Sequence, residues 1–197
     1  MNFFTKIFGL SSSNKPDEIG AKKKEVKLSL DDAFVHHFID KGGKFLYCTT
    51  IEEVKNNLYK IIEENAWREL TCIDKKLESF LEKKNITLLK EFKKSIPIFI
   101  NCEHLIADNG TILFSSNQIK SNKIASMSEN FIVYATTRQL VKNTGEGLTG
   151  IKTNCGRSIP TNISAIKNYS IKKNDDNFLN YGNTNSKNLY LLLFEDL

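Results

Sequence analysis

The sequence predicts an α/β domain built on a layered, mostly parallel sheet. Extended and helical segments alternate from residue 28 to about residue 141, which favours βαβ units. The chain ends in an unbroken apolar run at 188–197, typical of a parallel strand covered on both faces. With 40% hydrophobic and 26% charged residues, the 197-residue chain can bury a substantial core.

Capping residues and apolar spacing predict the helices. Ser29 caps the first helix, Gly42 and Gly43 end it, and its apolar face consists of Leu30, Ala33, Phe34 and Phe38. Thr50 and Glu53 have the spacing of a capping box, and they precede an apolar stripe of Ile51, Val54, Leu58, Ile61 and Ile62. Further helices are predicted at 85–93 and after Thr137, the latter carrying Leu140 and Val141.

Strands are predicted at 44–48, 68–73, 97–101 and 131–135, and at the chain end. A β-hairpin is predicted at 104–116 because Asn109-Gly110 stands between two apolar runs, and both turn residues are expected to have positive φ. Ligands of parallel sheets bind at the carboxyl ends of strands. The loops after residues 48, 73, 101 and 135 are therefore the expected places for a ligand.

Composition narrows the function classes. Residues 1–27 have the Ser, Lys, Pro and Gly content of a flexible segment, so a single folded domain is expected at 28–197. The net charge of +5 is scattered rather than gathered in a stripe, which argues against nucleic-acid binding. No apolar run is long enough to span a membrane, and a cytoplasmic location is expected.

The residues indicate neither a metal centre nor a cofactor. The four cysteines show no metal-ligand spacing, so no structural metal or disulfide is expected. Motifs for dinucleotides, phosphate loops, serine nucleophiles and zinc proteases are absent, and no cofactor is expected. Cys102 and His104 would share one face of an extended segment, but Glu103 would lie on the other and could not orient the histidine.

Several segments resemble the LUD (lactate-utilization) domain family, in particular the lactate utilization protein C group. Ala107, Asp108, Asn109, Gly110 and Thr111 follow that family's order of Ala, acid, small polar residue, Gly and hydroxyl residue before an apolar strand. The helix, Gly-Gly and strand passage at 38–45, the segment NFIVYATTRQLV and the end NLYLLLFEDL are also similar to the family. The resemblance covers roughly residues 30–197.

The resemblance implies a fold like that of ribose-phosphate isomerases and CoA transferases. It also implies a role in oxidative L-lactate use beside an iron–sulfur subunit. The family often carries a Gly-Pro-Ser-Arg-Thr-Ala-Asp-Ile segment, whose Arg and Asp positions hold Ile159 and Asn162 here. The family also often has a His-Gly-Pro segment before its last strand. In this chain the corresponding region contains Gly182 but neither the His nor the Pro. An arginine fork binds anions as isoleucine cannot, so these departures imply an altered or absent activity.

A ligand-binding or accessory member of a lactate-oxidation system is therefore the expected function, and whether the protein is an enzyme is left open. Residues of two segments are the candidates for binding a small anionic molecule: Asp108, Asn109, Gly110, Thr111, Gly156, Arg157 and Ser158. One alternative is an enzyme of the sugar-phosphate isomerase, CoA-transferase or folate cyclo-ligase type, with Asp108 or Glu103 as its acid–base group. The other alternative is a non-catalytic interaction subunit.

Overall fold

Ten strands form two sheets in the part of the chain described by the computed structural model, residues 28–81, 86–154, 159–170 and 185–196. They are β1 (Lys44–Cys48), β2 (Glu69–Thr71), β3 (Thr87–Leu89), β4 (Ile98–Asn101), β5 (His104–Ile106), β6 (Thr111–Ser115), β7 (Asn130–Thr136), β8 (Leu140–Val141), β9 (Ile163–Ile166) and β10 (Asn188–Phe194). The α-helices in the described ranges are α1 (Leu30–Asp40), α2 (Ile51–Glu64), α3 (Lys75–Glu78), α4 (Ser116–Ile119) and α5 (Thr144–Asn154).

The larger sheet is parallel throughout and has the strand order β1-β10-β7-β4-β2-β3. The smaller sheet has the order β8-β5-β6-β9, in which the β5–β6 hairpin is antiparallel. The prediction of a mostly parallel, layered α/β fold is confirmed, as is a hairpin within 104–116. The sequence had not indicated that this hairpin belongs to a second sheet.

The terminal apolar run is a central strand, as predicted. β10 pairs in parallel with β1 on one side and β7 on the other. Leu189, Leu191 and Leu193 pack into one core, whereas Leu192 packs into the core on the opposite face. Each fully buried leucine stabilises the fold by about 1.5–3 kcal/mol, so both faces of this strand contribute.

The two cores lie on opposite faces of the larger sheet. On one face, α1 and the second sheet cover it through Phe34, Phe38, Leu105 and Phe114. On the other face, α2 and α3 cover it through residues that include Val54, Leu58, Ile61 and Leu77. The fold is therefore layered, with the larger sheet in the middle.

The first helix begins and ends where the sequence predicts. Ser29 Oγ accepts a hydrogen bond from the Asp32 amide, and Gly42 takes a φ of +87° just after the helix. A Cβ atom on Gly43 would lie 2.3 Å from the Phe38 ring, so that position requires glycine. Leu30, predicted to belong to the apolar face, is instead 46% exposed because it lies at the first residue of the helix.

The second helix uses its capping residues in a slightly different way from the prediction. Thr50 Oγ1 accepts a hydrogen bond from the Glu53 amide, 3.1 Å away. The Glu53 carboxylate accepts hydrogen bonds from the amide and the hydroxyl of Thr49. These bonds from Thr49 are the main reason that the pKa of Glu53 lies below its ordinary value.

Two predicted helices are wrong. Within 85–93 the chain forms the edge strand β3, where β-branched and apolar residues pair with β2. Thr137 begins a single 3₁₀ turn (Thr137–Gln139), and Leu140 and Val141 form β8, since they complete the second sheet beside β5. The helix of this region, α5, begins later at Thr144.

Residues 1–27, predicted to be a flexible segment, lie outside the described residues. No helix within the described ranges has the length and apolar character needed to cross a membrane.

Candidate functional site

The strand order creates a topological switch point between β2 and β4. From β2 the chain continues to its outer neighbour β3, whereas from β4 it continues through the second sheet to β7 on the other side. Open parallel sheets bind ligands where such connections diverge, at the carboxyl ends of the strands. Two of the four loops that the sequence indicated, those after residues 73 and 101, meet at this place.

A cavity of about 360 Å³ occupies this switch point. Its volume falls within the usual range of small-molecule sites, about 300–1,000 Å³. The lining residues come from three segments, and they are Ile73, Asp74, Lys75, Phe99, Ile100, Asn101, Asn117, Gln118 and Lys120. The lining therefore combines mostly polar side chains with the apolar Ile73, Phe99 and Ile100.

Asp74 and Asn101 form one polar wall of the cavity. Asp74 caps α3, because its Oδ1 accepts a hydrogen bond from the Lys76 amide at 2.7 Å. Its Oδ2 accepts from Asn101 Nδ2, 3.0 Å away. Since Asn101 turns its amide nitrogen to Asp74, its Oδ1 is left as a hydrogen-bond acceptor beside the carboxylate. This wall can accept hydrogen bonds from hydroxyl or amine groups.

Glu103 organises a second group of the lining residues, although it does not line the cavity itself. Its Oε1 accepts hydrogen bonds from Ser115 Oγ at 2.5 Å, Gln118 Nε2 at 2.9 Å and Asn117 Nδ2 at 3.3 Å. Gln118 Oε1 in turn accepts from the Ser115 amide, which completes a capping box at α4. The carboxylate thereby fixes the orientation of both cavity-lining amides, and Asn117 keeps its Oδ1 as an acceptor.

Lys75 and Lys120 add positive charge to the cavity, and both are exposed. Lys120 has φ 55° and ψ −132°, in the region that favours glycine. Such a backbone conformation costs about 1–3 kcal/mol in a residue other than glycine. Lysines and acceptors together suit a small ligand that has an anionic group and hydrogen-bond donors.

The tip of the hairpin packs against the end of α1. A Cβ atom on Gly110 would lie 2.7 Å from the His37 carbonyl carbon and the Phe38 nitrogen, so only glycine fits. Lys41 Nζ donates a hydrogen bond to the Asn109 carbonyl oxygen at 2.5 Å. The Asp108 side chain is exposed, and its amide donates to the Lys142 carbonyl.

The hairpin turn differs from the predicted one. Gly110 has a φ of +64°, but Asn109 does not take positive φ. Because β5 ends at Ile106 and β6 begins at Thr111, four residues connect them, and the Gly110 amide donates to the Ile106 carbonyl. This longer loop needs one left-handed residue rather than the two of a two-residue turn.

Comparison with known proteins settles the family. The family model of the LUD domain matches residues 32–194. The chain belongs to the LUD-domain family. Its fold is similar to that of a DUF162-family protein from Deinococcus radiodurans, with a TM-score of 0.60 and 12% identity over 86% of this chain and 100% of that one. A comparison with curated proteins gave no match.

The LUD-like residues of the hairpin, 108–111, lie side by side at its tip, and none of them lines the cavity. Thr111 is buried, and Asn109 Oδ1 accepts a hydrogen bond from its amide at 3.0 Å. Asp108, Asn109, Gly110 and Thr111 are all absent from the cavity wall. Gly156, Arg157 and Ser158, the other segment of the predicted binding surface, lie outside the described residues of this LUD domain.

The cavity residues themselves were missed by the sequence analysis. Asp74 follows the predicted strand 68–73, and Asn101 ends the predicted strand 97–101. Their position at the carboxyl ends of strands was the one signal that could have indicated them. Asn117, Gln118 and Lys120 belong to a short helix and turn with no recognisable motif. Their place at the cavity depends on how the second sheet of the LUD domain packs.

Cys102 and His104 do not form a nucleophile and base in this LUD domain. Burial raises the pKa of the Cys102 thiol well above its ordinary value, which keeps the thiol protonated at neutral pH. Gln139 Nε2 donates to the Cys102 carbonyl, while His104 Nδ1 donates to the Gln139 carbonyl at 3.3 Å. On its other side, His104 Nε2 lies against Gly150 of α5, where a Cβ atom would come within 2.8 Å.

Within the described ranges, the residues best placed to hold a metal ion are His36, His37 and Asp40 on α1, whose ligand atoms lie within 4.8 Å of one another. His36 Nδ1 and Asp40 Oδ2 are 3.1 Å apart, an ordinary contact between residues four apart on a helix. His36 and Asp40 are exposed. Helical surface pairs of this kind occur without any metal, so the arrangement does not indicate a metal centre.

Proposed function

We propose that this LUD-domain protein is an accessory, ligand-binding component linked to oxidative L-lactate utilization. Its ligand is a small organic anion held in the switch-point cavity. The observation that carries the proposal is the meeting of Lys75 and Lys120 with the acceptors Asp74 and Asn101 in one cavity. The link to lactate is supported by the family to which the chain belongs.

A hydroxy acid matches this lining in chemical terms. Its carboxylate would bind an ammonium group, since charge-assisted hydrogen bonds are the stronger ones in proteins. Its hydroxyl would donate to the Asp74 carboxylate or to Asn101 Oδ1, which accept hydrogen bonds. Phe99 and Ile100 supply apolar contact for a short carbon chain.

The LUD-like hairpin remains a second binding surface in this proposal. Asp108 is exposed at its tip, and with Arg157 it is proposed to face a shared cleft that takes an anionic molecule. An iron–sulfur subunit of a lactate-oxidation system is the proposed partner.

A thermal-shift screen with L-lactate, other 2-hydroxy acids, sugar phosphates, CoA esters and nucleotides tests the ligand class. A ligand present at about one hundred times its Kd stabilises a protein by about 2.7 kcal/mol, which raises Tm by several degrees. We expect 2-hydroxy acids to do so. A flat screen would contradict ligand binding and favour the non-catalytic interaction subunit.

Two lysine variants locate the response within the molecule. Lys75→Met should abolish the ligand-induced rise in Tm, because it removes an ammonium group from the cavity lining. Lys76→Met is its matched control, since Lys76 is the next residue of α3, is exposed and does not line the cavity. An equal loss in both variants would place the ligand elsewhere.

A second candidate function is an enzyme of the isomerase, CoA-transferase or folate cyclo-ligase type with Glu103 as its acid–base group. The observation that favours it is that Glu103 holds two cavity-lining amides through one oxygen of its carboxylate. Glu103→Gln would then abolish turnover of a substrate found in the screen while leaving its binding within a few fold. Asp108→Asn tests the other acid–base candidate in the same assay. Full turnover in both variants would exclude these two roles.

A further inference from the structure

Lys120 is held in a backbone conformation that favours glycine. It occupies the first central position of a turn in which the Asn122 amide donates to the Ile119 carbonyl at 3.0 Å, and its angles of 55° and −132° are those of a type II′ turn. Glycine adopts these angles without steric conflict, because it lacks a Cβ atom. A lysine at this position therefore stabilises the turn less than glycine would.

Ala66 provides a comparison at a second position with positive φ. It has a φ of 52° and follows α2, where the Ala66 amide donates to Glu63 and the Trp67 amide donates to Ile62. These two bonds are the usual way to end a helix, and they explain its conformation completely. Ala66 carries only a methyl group, whereas Lys120 lines the switch-point cavity and its Nζ donates a hydrogen bond to the carbonyl oxygen of Asn117, another lining residue, at 3.3 Å.

Charge is unevenly distributed over the cavity lining. Lys75 and Lys120 are exposed, which places the positive charge at the solvent side. Asp74 is partly buried and engaged with Asn101, so the negative charge and the acceptors lie on another part of the wall. A simple anion would be repelled by Asp74, whereas a ligand with an anionic end and a hydroxyl end would match both parts.

We propose that Lys75 and Lys120 form an anion clamp over the cavity, and that the strained backbone of Lys120 is retained for this contact. The ligand is a small organic molecule with one anionic group, carboxylate or phosphate, and at least one hydroxyl that donates to Asp74 or Asn101. This inference rests on the ligand-binding cavity of the proposed function, but not on lactate.

Four probes separate the parts of the proposal by calorimetric titration of the full chain. Inorganic phosphate carries only the anionic group, glycerol carries only hydroxyls, and glycerol 3-phosphate and L-lactate carry both. At least one of the last two should bind tenfold or more tighter than both phosphate and glycerol. Glycerol binding as tightly as the anionic probes, or no binding by any probe, would overturn the clamp.

Lys120→Gly is expected to raise the thermal stability and to weaken ligand binding. Without ligand, it should raise Tm by about 2–4 °C, the shift that about 1 kcal/mol produces in a chain of this size. It should also weaken the best probe by tenfold or more, because it removes one ammonium group. Lys120→Asn also removes the ammonium group, and it repeats the affinity test without a new glycine. A higher Tm with unchanged affinity, or no rise in Tm, would contradict the proposal.

Two control variants separate strain from charge. Ala66→Gly should raise Tm in the same way with no effect on affinity, since it relieves positive φ away from the cavity. Lys123→Met removes an exposed lysine that does not line the cavity, and it should change neither quantity. Equal weakening by Lys123→Met would show that net charge, rather than the clamp, attracts the anion.

The outcomes also distinguish this inference from the proposed function. L-lactate binding that is insensitive to Lys120 would contradict the clamp and leave the proposed function standing. Glycerol 3-phosphate binding that depends on Lys120, without any response to 2-hydroxy acids, would support the clamp and contradict the link to lactate.

Discussion

Tyr169 donates its buried hydroxyl hydrogen to the Gly110 carbonyl oxygen, 2.5 Å away, although 59 residues separate the two in the chain. The same hydroxyl lies 3.1 Å from the Ile166 carbonyl oxygen, and the Tyr169 ring packs on Phe38 with centroids 4.4 Å apart. One side chain thus joins the tip of the hairpin, the end of β9 and α1.

Tyr169→Phe should lower the free energy of unfolding by about 1–3 kcal/mol, because it leaves the buried Gly110 carbonyl without its partner. Urea denaturation measures this loss. Tyr190→Phe is the comparison. Its hydroxyl accepts from Lys44 and from Asn65, but it is only partly buried, so its loss should cost less than about 1 kcal/mol. Equal losses in the two variants would contradict a special role for the Gly110 bond.

The side chain that stabilises the hairpin turn is that of Asn109 rather than Asp108. Asn109→Ala should cost about 1 kcal/mol, because its Oδ1 accepts from the Thr111 amide. Asp108→Asn should leave Tm within a degree or two, since the Asp108 side chain is exposed. If Asp108 binds the ligand, the same variant should weaken binding tenfold or more, as loss of a charged hydrogen bond does. Unchanged affinity would restrict the hairpin to a structural role.

Burial raises the pKa of Cys72 to about 12, and this predicts alkaline instability. The unfolded chain releases this proton near pH 9, whereas the folded protein keeps it, so the folded state loses stability as pH rises between about 9 and 12. One such group contributes a slope of up to about 1.4 kcal/mol per pH unit. Cys72→Ala should make that slope shallower in urea titrations under reducing conditions, and an unchanged slope would contradict the assignment.

Asp196 ties the end of β10 to the end of β7. Its Oδ1 accepts from Thr137 Oγ1 at 3.0 Å and from the Arg138 amide at 3.3 Å. Burial alone raises the pKa of Asp196, but these hydrogen bonds together outweigh burial, so the pKa lies below its ordinary value. The contribution is present above the unfolded pKa near 3.8 and is lost as pH falls through the lower folded pKa.

Asp196→Asn should therefore reduce stability at pH 7 by roughly 0.5–1.5 kcal/mol, and this difference from the wild type should shrink as the pH falls below the unfolded pKa near 3.8. Thermal unfolding at several pH values measures both. Arg138→Met is expected to have a smaller effect, because the arginine side chain is 71% exposed. A pH-independent difference would point to packing rather than charge.

The sequence predicted the parallel sheet well because its strands are marked by local signals. Burial on both faces appears as an unbroken apolar run in β10, and capping residues mark the start of α1 and α2. The two wrong helices fall where long-range pairing decides the structure. Thr87–Leu89 becomes a strand because β2 offers an edge, and Leu140–Val141 because β5 does.

The position of the candidate site was predictable only in part, and its composition was not. Parallel topology places ligands at the carboxyl ends of strands, which indicated the four loops after residues 48, 73, 101 and 135, and two of these, after 73 and 101, line the cavity. Asn117 and Lys120 could not be foreseen, because they reach the cavity only through the packing of the second sheet against the first. The positive φ of Lys120 could not be predicted either, because lysine usually avoids this backbone conformation.

The cavity is lined partly by residues at the carboxyl ends of strands of the larger sheet and partly by α4 and the turn that follows this helix. Asn117 and Lys120 belong to no strand, so exchanging them leaves the hydrogen-bond ladders of both sheets intact. A change of ligand preference can then be confined to these two positions, with Asp74 and Asn101 left as they are. For an engineer, positions 117 and 120 are accordingly the places to randomise when a related chain must accept a new small molecule, whereas Ile119 between them is buried in the core.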